Sequence, residues 1–300
     1  MGTHANGRSG DACESRGAMT WRSLLCVPGD RPDRIAKAAD RGAHAVIVDL
    51  EDGVAANAKA QARAALAQSI PMLAQRGTDV LVRINAEWLV AIADIEAAVA
   101  GGACALVVPK VETTGRIAAL AEILAEVEAK QGRDQGSVEI VALIESPVGL
   151  ENMTHIVKQP RMRALALGSE DFALALAAEP SAASLDLPCR MLAIAAAAAR
   201  RASYGLPISI GAFGDLEAYE QAALAARAYG MTGAIAIHPT QLTVINRVFT
   251  ASKSERAAAR RIVEAWEAVP SECRSVIALE GRMIDLPVVL RARRLLGLEP

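Results

Sequence analysis

The sequence predicts a (β/α)8 TIM barrel with a C-terminal helical extension, and three observations carry that reading. Short apolar runs alternate with helix-forming segments eight times between residues 23 and 250. The runs are apolar throughout rather than alternating with polar residues, as in strands of a parallel sheet buried on both faces. No Gly-x-Gly-x-x-Gly follows any of them, which leaves an open dinucleotide-binding sheet little support. Eight strand–helix units in this span fit a closed barrel better than an open sheet.

In chain order, residues 1–20 read as a disordered leader. Ser23-Leu-Leu-Cys-Val-Pro-Gly is the first strand, with a helix over 32–41. Ala45-Val-Ile-Val-Asp-Leu is the second, followed by an Ala-rich helix over 57–76, and Asp79-Val-Leu-Val-Arg-Ile-Asn is the third, with a helix over 88–100. Ala105-Leu-Val-Val-Pro-Lys is the fourth, with a helix over 114–131. Residues 139–145 form the fifth and 164–168 the sixth. Pro207-Ile-Ser-Ile-Gly reads as the seventh and Ala234-Ile-Ala-Ile-His as the eighth, with a helix from Thr240. The barrel therefore spans 21–250. Residues 251–300 form the extension, a charged helix over 253–267 and a segment from Ile277 to Leu296, packed on its own barrel or on a neighbouring subunit.

Composition excludes several function classes. Hydrophobic residues make up 52% of the chain and aromatics 3%, so Ala, Leu, Val and Ile must fill the core. A net charge of -2 offers no footprint for nucleic acid or an anionic membrane surface. The five cysteines are scattered and form no Cys-x-x-Cys pair, which suits a reducing cytoplasm better than a disulfide framework or a zinc site. Met1 to Arg16 has no apolar central run and is not a secretory signal, and Met191 to Ala199 is too short to span a bilayer.

In a barrel of this kind the C-terminal ends of the strands face the active-site mouth. Here those ends are ionisable: Asp30 and Arg31, then Asp49, Glu51 and Asp52, then Arg83, Lys110, Glu145, Glu170 with Asp171, and His238. Unpaired charge beside a core is costly, so a purely structural barrel would not collect it there. Glu145 and Asp171 end consecutive strand-like runs, a placement that suits Mg2+, which takes carboxylate oxygens and keeps water and substrate in its other positions. Both acids would equally serve as caps for the helices that follow. Glu51 and Asp52 either begin a helix, complementing its dipole, or serve the site. Arg83 needs an anionic partner, either Glu51 or a substrate carboxylate. Lys110 reads as a salt-bridge partner and His238 as a turn residue before Pro239. Arg31 with Lys37 is a weak phosphate-binding signal.

Taken together, Leu24-Leu-Cys-Val-Pro-Gly-Asp-Arg, Val48-Asp-Leu-Glu-Asp-Gly-Val, Val82-Arg-Ile-Asn, Val108-Pro-Lys-Val-Glu, Leu143-Ile-Glu-Ser-Pro, Leu167-Gly-Ser-Glu-Asp, Ala236-Ile-His-Pro-Thr-Gln and Gly281-Arg-Met-Ile-Asp form an ordered series. The series resembles the citrate lyase β-subunit-like family of acyl-CoA lyases, which includes the malyl-CoA and citramalyl-CoA lyases. The resemblance implies a (β/α)8 barrel, assembled as a homotrimer or hexamer, with Mg2+ in the mouth. It implies Glu145 and Asp171 as metal ligands, Arg83 on the carboxylate of a 2-oxo acid, and Glu51 and Asp52 on the metal's water shell. Arg31 and Lys37 fall where the family contacts coenzyme A, and Asp285 matches an acid supplied by a neighbouring subunit's tail.

The activity implied is reversible cleavage of a 3-hydroxyacyl-CoA, citramalyl-CoA first, to acetyl-CoA and a 2-oxo acid such as pyruvate. Malyl-CoA, citryl-CoA and free hydroxy-oxo acids stand as alternatives. Two departures leave the substrate's identity open. Strand seven reads Ile208-Ser-Ile-Gly where the family often carries an acid, and Gly233-Ala-Ile-Ala lacks the family's frequent lysine.

Overall fold

A computed structural model describes residues 21–271 and 274–298 of the chain; the leader predicted for residues 1–20 lies outside them. Eight parallel strands run in the sheet order β7-β6-β5-β4-β3-β2-β1-β8. They are β1 (Ser23–Pro28), β2 (Ala45–Asp49), β3 (Asp79–Arg83), β4 (Ala105–Val108), β5 (Glu139–Ile144), β6 (Met162–Leu167), β7 (Ala202–Tyr204) and β8 (Ala234–Ala236). The helices between them are α1 (Pro32–Ala38), α2 (Lys59–Gln75), α3 (Trp88–Gly101), α4 (Thr114–Lys130), α5 (Pro147–Ile156), α6 (Ser169–Ala175), α7 (Ala182–Ala198), α8 (Leu216–Tyr229) and α9 (Pro239–Val248). This is the TIM-barrel fold that the sequence predicts.

The strands are apolar on both faces because both faces are covered. Leu24, Ile47, Leu81, Val107, Val141, Leu143 and Tyr204 point inward and fill the barrel. The alternate residues, among them Val46, Val48, Val82 and Leu106, pack outward against the helices. Period-two alternation is thus present as two apolar sets rather than one apolar and one polar.

Strand seven departs from expectation. The run Pro207–Gly211 carries no strand, and β7 lies five residues earlier, at Ala202–Tyr204. Pro207 has no N–H to give a ladder. The Ile210 N–H is used elsewhere, donating to Ser169 Oγ at 3.2 Å and Glu170 Oε1 at 3.1 Å. The barrel closes through one parallel bridge, Tyr204 to Gly233. Thr232 reinforces that seam: its N–H donates to the Ser203 carbonyl at 2.9 Å, and its Oγ1 accepts from Ser203 N at 2.9 Å.

The chain separates into two compact units, one through Phe249 and one from Thr250. The second holds α10 (Lys253–Glu267), an antiparallel hairpin of β9 (Ile277–Leu279) and β10 (Arg282–Ile284), and α11 (Leu286–Leu296). Val263, Ala259 and Ala292 form one small core there, and Trp266, Ile284 and Val289 another. Among the described residues no helix is long and apolar enough to cross a membrane.

Candidate active site

The mouth is organised by a carboxylate at the end of β2. Asp49 Oδ1 accepts from the Glu51 N–H at 2.9 Å, and Oδ2 accepts from the Gly53 N–H at 2.9 Å, so the turn after β2 wraps around its own acid. Gly53 is required there, since a Cβ would sit 2.3 Å from Asp49 Oδ2. The same two oxygens take both edges of Arg83, Nε at 2.6 Å and Nη2 at 2.7 Å. This is the planar fork-to-carboxylate pairing that arginine makes best. The third nitrogen, Nη1, lies 3.0 Å from Glu51 Oε2. Burial alone would weaken the guanidinium's charge, but the bonds to Asp49 outweigh it and raise the Arg83 pKa.

Lys110 joins this cluster to the next strand end. It sits in the left-handed region at φ 53°, a conformation that costs a non-glycine residue free energy and recurs at functional sites. That geometry aims its N–H at Glu145 Oε2, 2.7 Å away, while its ammonium lies 3.1 Å from Glu51 Oε1 and 3.9 Å from the more exposed Asp52. Burial pushes Glu51 above the usual carboxylate range despite Arg83 and Lys110.

Glu145 follows β5 and is 5% exposed. Desolvation raises its pKa to about 7; the Lys110 N–H opposes the rise, and the charges of Glu51 and Asp171 add to it. Gly168 lets it fit, because a Cβ there would lie 2.5 Å from Glu145 Cγ. Asp171 comes from the first turn of α6, just after β6. Among the described residues no lysine or arginine ion-pairs with Glu145. No cluster of three or more His, Cys, Asp or Glu among them forms a complete metal cage either. Two adjacent acids, one deeply buried, disfavour each other's charge unless a cation joins them. A pair of carboxylates that leaves the other positions to water and substrate fits Mg2+.

Glu145, Asp171 and Arg83 line one cavity of about 180 Å³. Its far side is apolar, with Ile208, Ile210, Ile235 and Ile237 among the lining residues. Of the other sequence-predicted residues, Glu51 stands behind Arg83, and Asp52 is at the rim beside Lys110. Arg31 and Lys37 lie exposed at the start and end of α1, where Arg31 pairs with Asp33 at 3.2 Å. Asp285 belongs to the second unit, where its carboxylate caps α11 by accepting from Val288 N at 3.2 Å. His238 caps α9, as a turn residue should, with Nδ1 2.8 Å from Thr240 Oγ1.

Two contributors were not singled out from sequence. Asp49, which the sequence shows only as one of the ionisable strand ends and gives no role, is the first partner of Arg83, ahead of Glu51. Gln241 is the second. It is wholly buried, its Oε1 accepts from the N–H groups of Ile237 (2.9 Å) and His238 (3.0 Å), and its Nε2 donates to the Ile210 carbonyl (2.8 Å).

Comparison with known proteins bears on this geometry. The family model described as HpcH/HpaI aldolase/citrate lyase matches residues 22–239. The citrate lyase subunit beta of Escherichia coli (strain K12) is 31% identical over 288 residues, covering 95% of each chain. The L-malyl-CoA/beta-methylmalyl-CoA lyase of Cereibacter sphaeroides (strain ATCC 17025 / ATH 2.4.3) is 29% identical over 293 residues, covering 90% of this chain and 92% of that one. Among solved structures, the protein CitE from Mycobacterium tuberculosis, in complex with magnesium, acetoacetate and coenzyme A, superposes with a TM-score of 0.73 at 27% identity. That match covers 92% of this chain and 97% of that one.

Proposed function

The chain belongs to the HpcH/HpaI aldolase/citrate lyase family, and from that premise we propose that it is a Mg2+-dependent acyl-CoA lyase. Its reaction is the reversible cleavage of a 3-hydroxy-dicarboxylyl-CoA, citramalyl-CoA first, to acetyl-CoA and pyruvate. The observation that carries this reading is the convergence of Glu145, Asp171 and Arg83 on one cavity. A citrate lyase subunit beta and an L-malyl-CoA/beta-methylmalyl-CoA lyase among the relatives support the reaction class, and the CitE complex with magnesium and coenzyme A supports the choice of cofactor and thioester.

Glu145 and Asp171 would hold the metal. Bound there, Mg2+ would supply Lewis acidity toward the substrate's carbinol oxygen. Arg83, fixed by Asp49 and Glu51, turns its remaining N–H groups to the carboxylate on that carbon and so orients the bond to be broken. Lys110 holds Glu145 through its backbone and Glu51 through its ammonium, which keeps both acids in register. Asp52 at the rim and Glu51 behind Arg83 would support the metal's water shell.

As the carbinol hydroxyl gives its proton to water in the site and becomes the oxo group of the departing acid, the carbon–carbon bond breaks and its electron pair passes to the thioester as an enolate. The enolate needs a proton at its α-carbon. Asp285, supplied by a neighbouring copy of the chain in a trimer or hexamer, is the acid proposed for it. Arg31 and Lys37 take phosphates of coenzyme A, and the scattered cysteines are in keeping with a reducing, cytoplasmic setting.

Incubation with citramalyl-CoA and malyl-CoA, with and without Mg2+, tests this directly. Acetyl-CoA should be released from citramalyl-CoA in a Mg2+-dependent way that EDTA abolishes. Cleavage of neither thioester overturns the reading.

A further inference from the structure

The cavity's two sides differ in kind, and the apolar one is as firmly built as the charged one. Ile208 and Ile210 follow β7, and Ile235 and Ile237 run through β8 and past its end; all four line the cavity. Gln241 ties the two segments together by bonding the Ile210 carbonyl and the Ile237 N–H. Glu170 fixes the first segment from below, its Oε1 accepting from the Ile210 N–H and from Ser209 Oγ at 2.8 Å. These bonds use the backbone polar groups at the wall and leave aliphatic side chains to face the space beside Glu145 and Asp171. Leu206 and the rings of Tyr204 and Tyr219 extend that surface.

No spare cation faces this wall. Among the described lining residues Arg83 is the one cation, and three of its N–H groups already go to Asp49 and Glu51. What remains of it serves one carboxylate. The Lys110 ammonium at the rim is held by Glu51. Glu170 adds a third acid beside Glu145 and Asp171. A second substrate carboxylate would therefore lose its water against aliphatic groups and neighbouring acids. The Tyr204 and Tyr219 hydroxyls could offer only neutral hydrogen bonds, which repay such desolvation poorly next to a guanidinium.

We propose that the oxo-acid half of the substrate carries a short alkyl side chain and no second carboxylate, with Ile208, Ile210, Ile235 and Ile237 as its specificity wall. The proposal rests on the lyase reading above and narrows it. Pyruvate and 2-oxobutanoate fit; oxaloacetate, the partner in citryl-CoA chemistry, is rejected by charge; glyoxylate leaves the wall unfilled. The alkyl group belongs to the oxo acid rather than the acyl-CoA because the wall adjoins the residues that hold the oxo acid's own oxygens.

The test is the condensation direction with Mg2+ and acetyl-CoA, comparing kcat/KM for the four oxo acids. Pyruvate and 2-oxobutanoate should exceed glyoxylate by roughly tenfold, the scale of a missing methyl contact. They should exceed oxaloacetate on the order of 100-fold, the scale of an uncompensated charge in a closed site. Ile237 is 43% exposed, so Ile237→Lys should fold and bring a cation to the rim, raising oxaloacetate relative to pyruvate about tenfold. Thermal stabilisation by each oxo acid with Mg2+ should follow the same order without any turnover.

Equal use of oxaloacetate or glyoxylate by the wild-type enzyme overturns the proposal while leaving the lyase reading intact. So does a gain that appears only when propionyl-CoA replaces acetyl-CoA. If no oxo acid is condensed at all, the lyase reading fails, and the order of thermal stabilisation then decides the wall's preference alone.

Discussion

The mouth of this barrel has one side made of charge and one made of hydrocarbon. Strands β2 to β5 end in acids and bases locked to one another: Asp49 to Arg83, Arg83 and Lys110 to Glu51, Lys110 to Glu145. Strands β7 and β8 are three residues each and meet through a single bridge, and Ile235 of β8 with Ile208, Ile210 and Ile237 of the segments that follow the two strands line the cavity. On the proposed reading the charged side supplies what the reaction class needs, a cation site and a carboxylate grip. The apolar side can vary without touching that machinery. Gln241 ties together the segments that follow these strands, and Thr232 holds the seam between them.

Substitutions on either side should separate the two roles. The largest effect is expected from Glu145→Gln, which removes a proposed metal ligand and should lower kcat/KM by about 1000-fold. In EDTA the same change should stabilise the fold at pH 8. The Glu145 carboxyl binds its proton more tightly in the folded chain than in the unfolded one, with a pKa near 7 rather than 4.5. The unfolded state therefore holds fewer protons between those values, and stability falls as pH rises through that window. Thermal melts from pH 5 to 8 should show the wild type losing roughly 5 °C more than Glu145→Gln.

Asp49→Asn should cost about 100-fold in activity, through Arg83 losing its fixed orientation, and roughly 3 kcal/mol of stability from a broken buried pair. Chemical denaturation and steady-state kinetics read both. Gln241→Ala acts on the other side. It should leave Mg2+-dependent turnover of the best substrate within a few-fold, while discrimination between pyruvate and glyoxylate falls by up to about tenfold. If Gln241→Ala instead abolished turnover with every oxo acid, the division between the two sides would be wrong. The smallest effect is expected from Arg31→Ala with Lys37→Ala, a several-fold rise in thioester KM with kcat little changed, measured in initial rates of citramalyl-CoA cleavage.

Legibility in the sequence followed the same division. Strands β1 to β6 are runs of buried residues on both faces, and each announces itself by composition. Glu145 and Asp171 could be paired from sequence because one directly follows such a run and the other lies in the first helical turn after the next. That Arg83 would meet Asp49 could not be read, since the pairing depends on β2 and β3 lying side by side with Asp49 opposite Arg83. Strand β7 was misplaced for a physical reason. Ala202-Ser-Tyr is too short to carry a periodic signal, and its partners lie in β6 and near Gly233, whereas Pro207-Ile-Ser-Ile has the composition of a strand but gives its Ile210 N–H to Ser169 and Glu170. Gln241 was hidden in the same way, as a polar residue on a helix whose bonds run to a distant loop.

The central claim is that the acids ending β5 and following β6 are a metal centre, and calorimetric titration of Mg2+ into wild-type protein and Asp171→Asn, with pyruvate at pH 8, tests it most directly. One site per chain in the wild type, weakened at least about tenfold in Asp171→Asn with the fold intact by circular dichroism, is the predicted result. Equal Mg2+ affinity in the two proteins would contradict it.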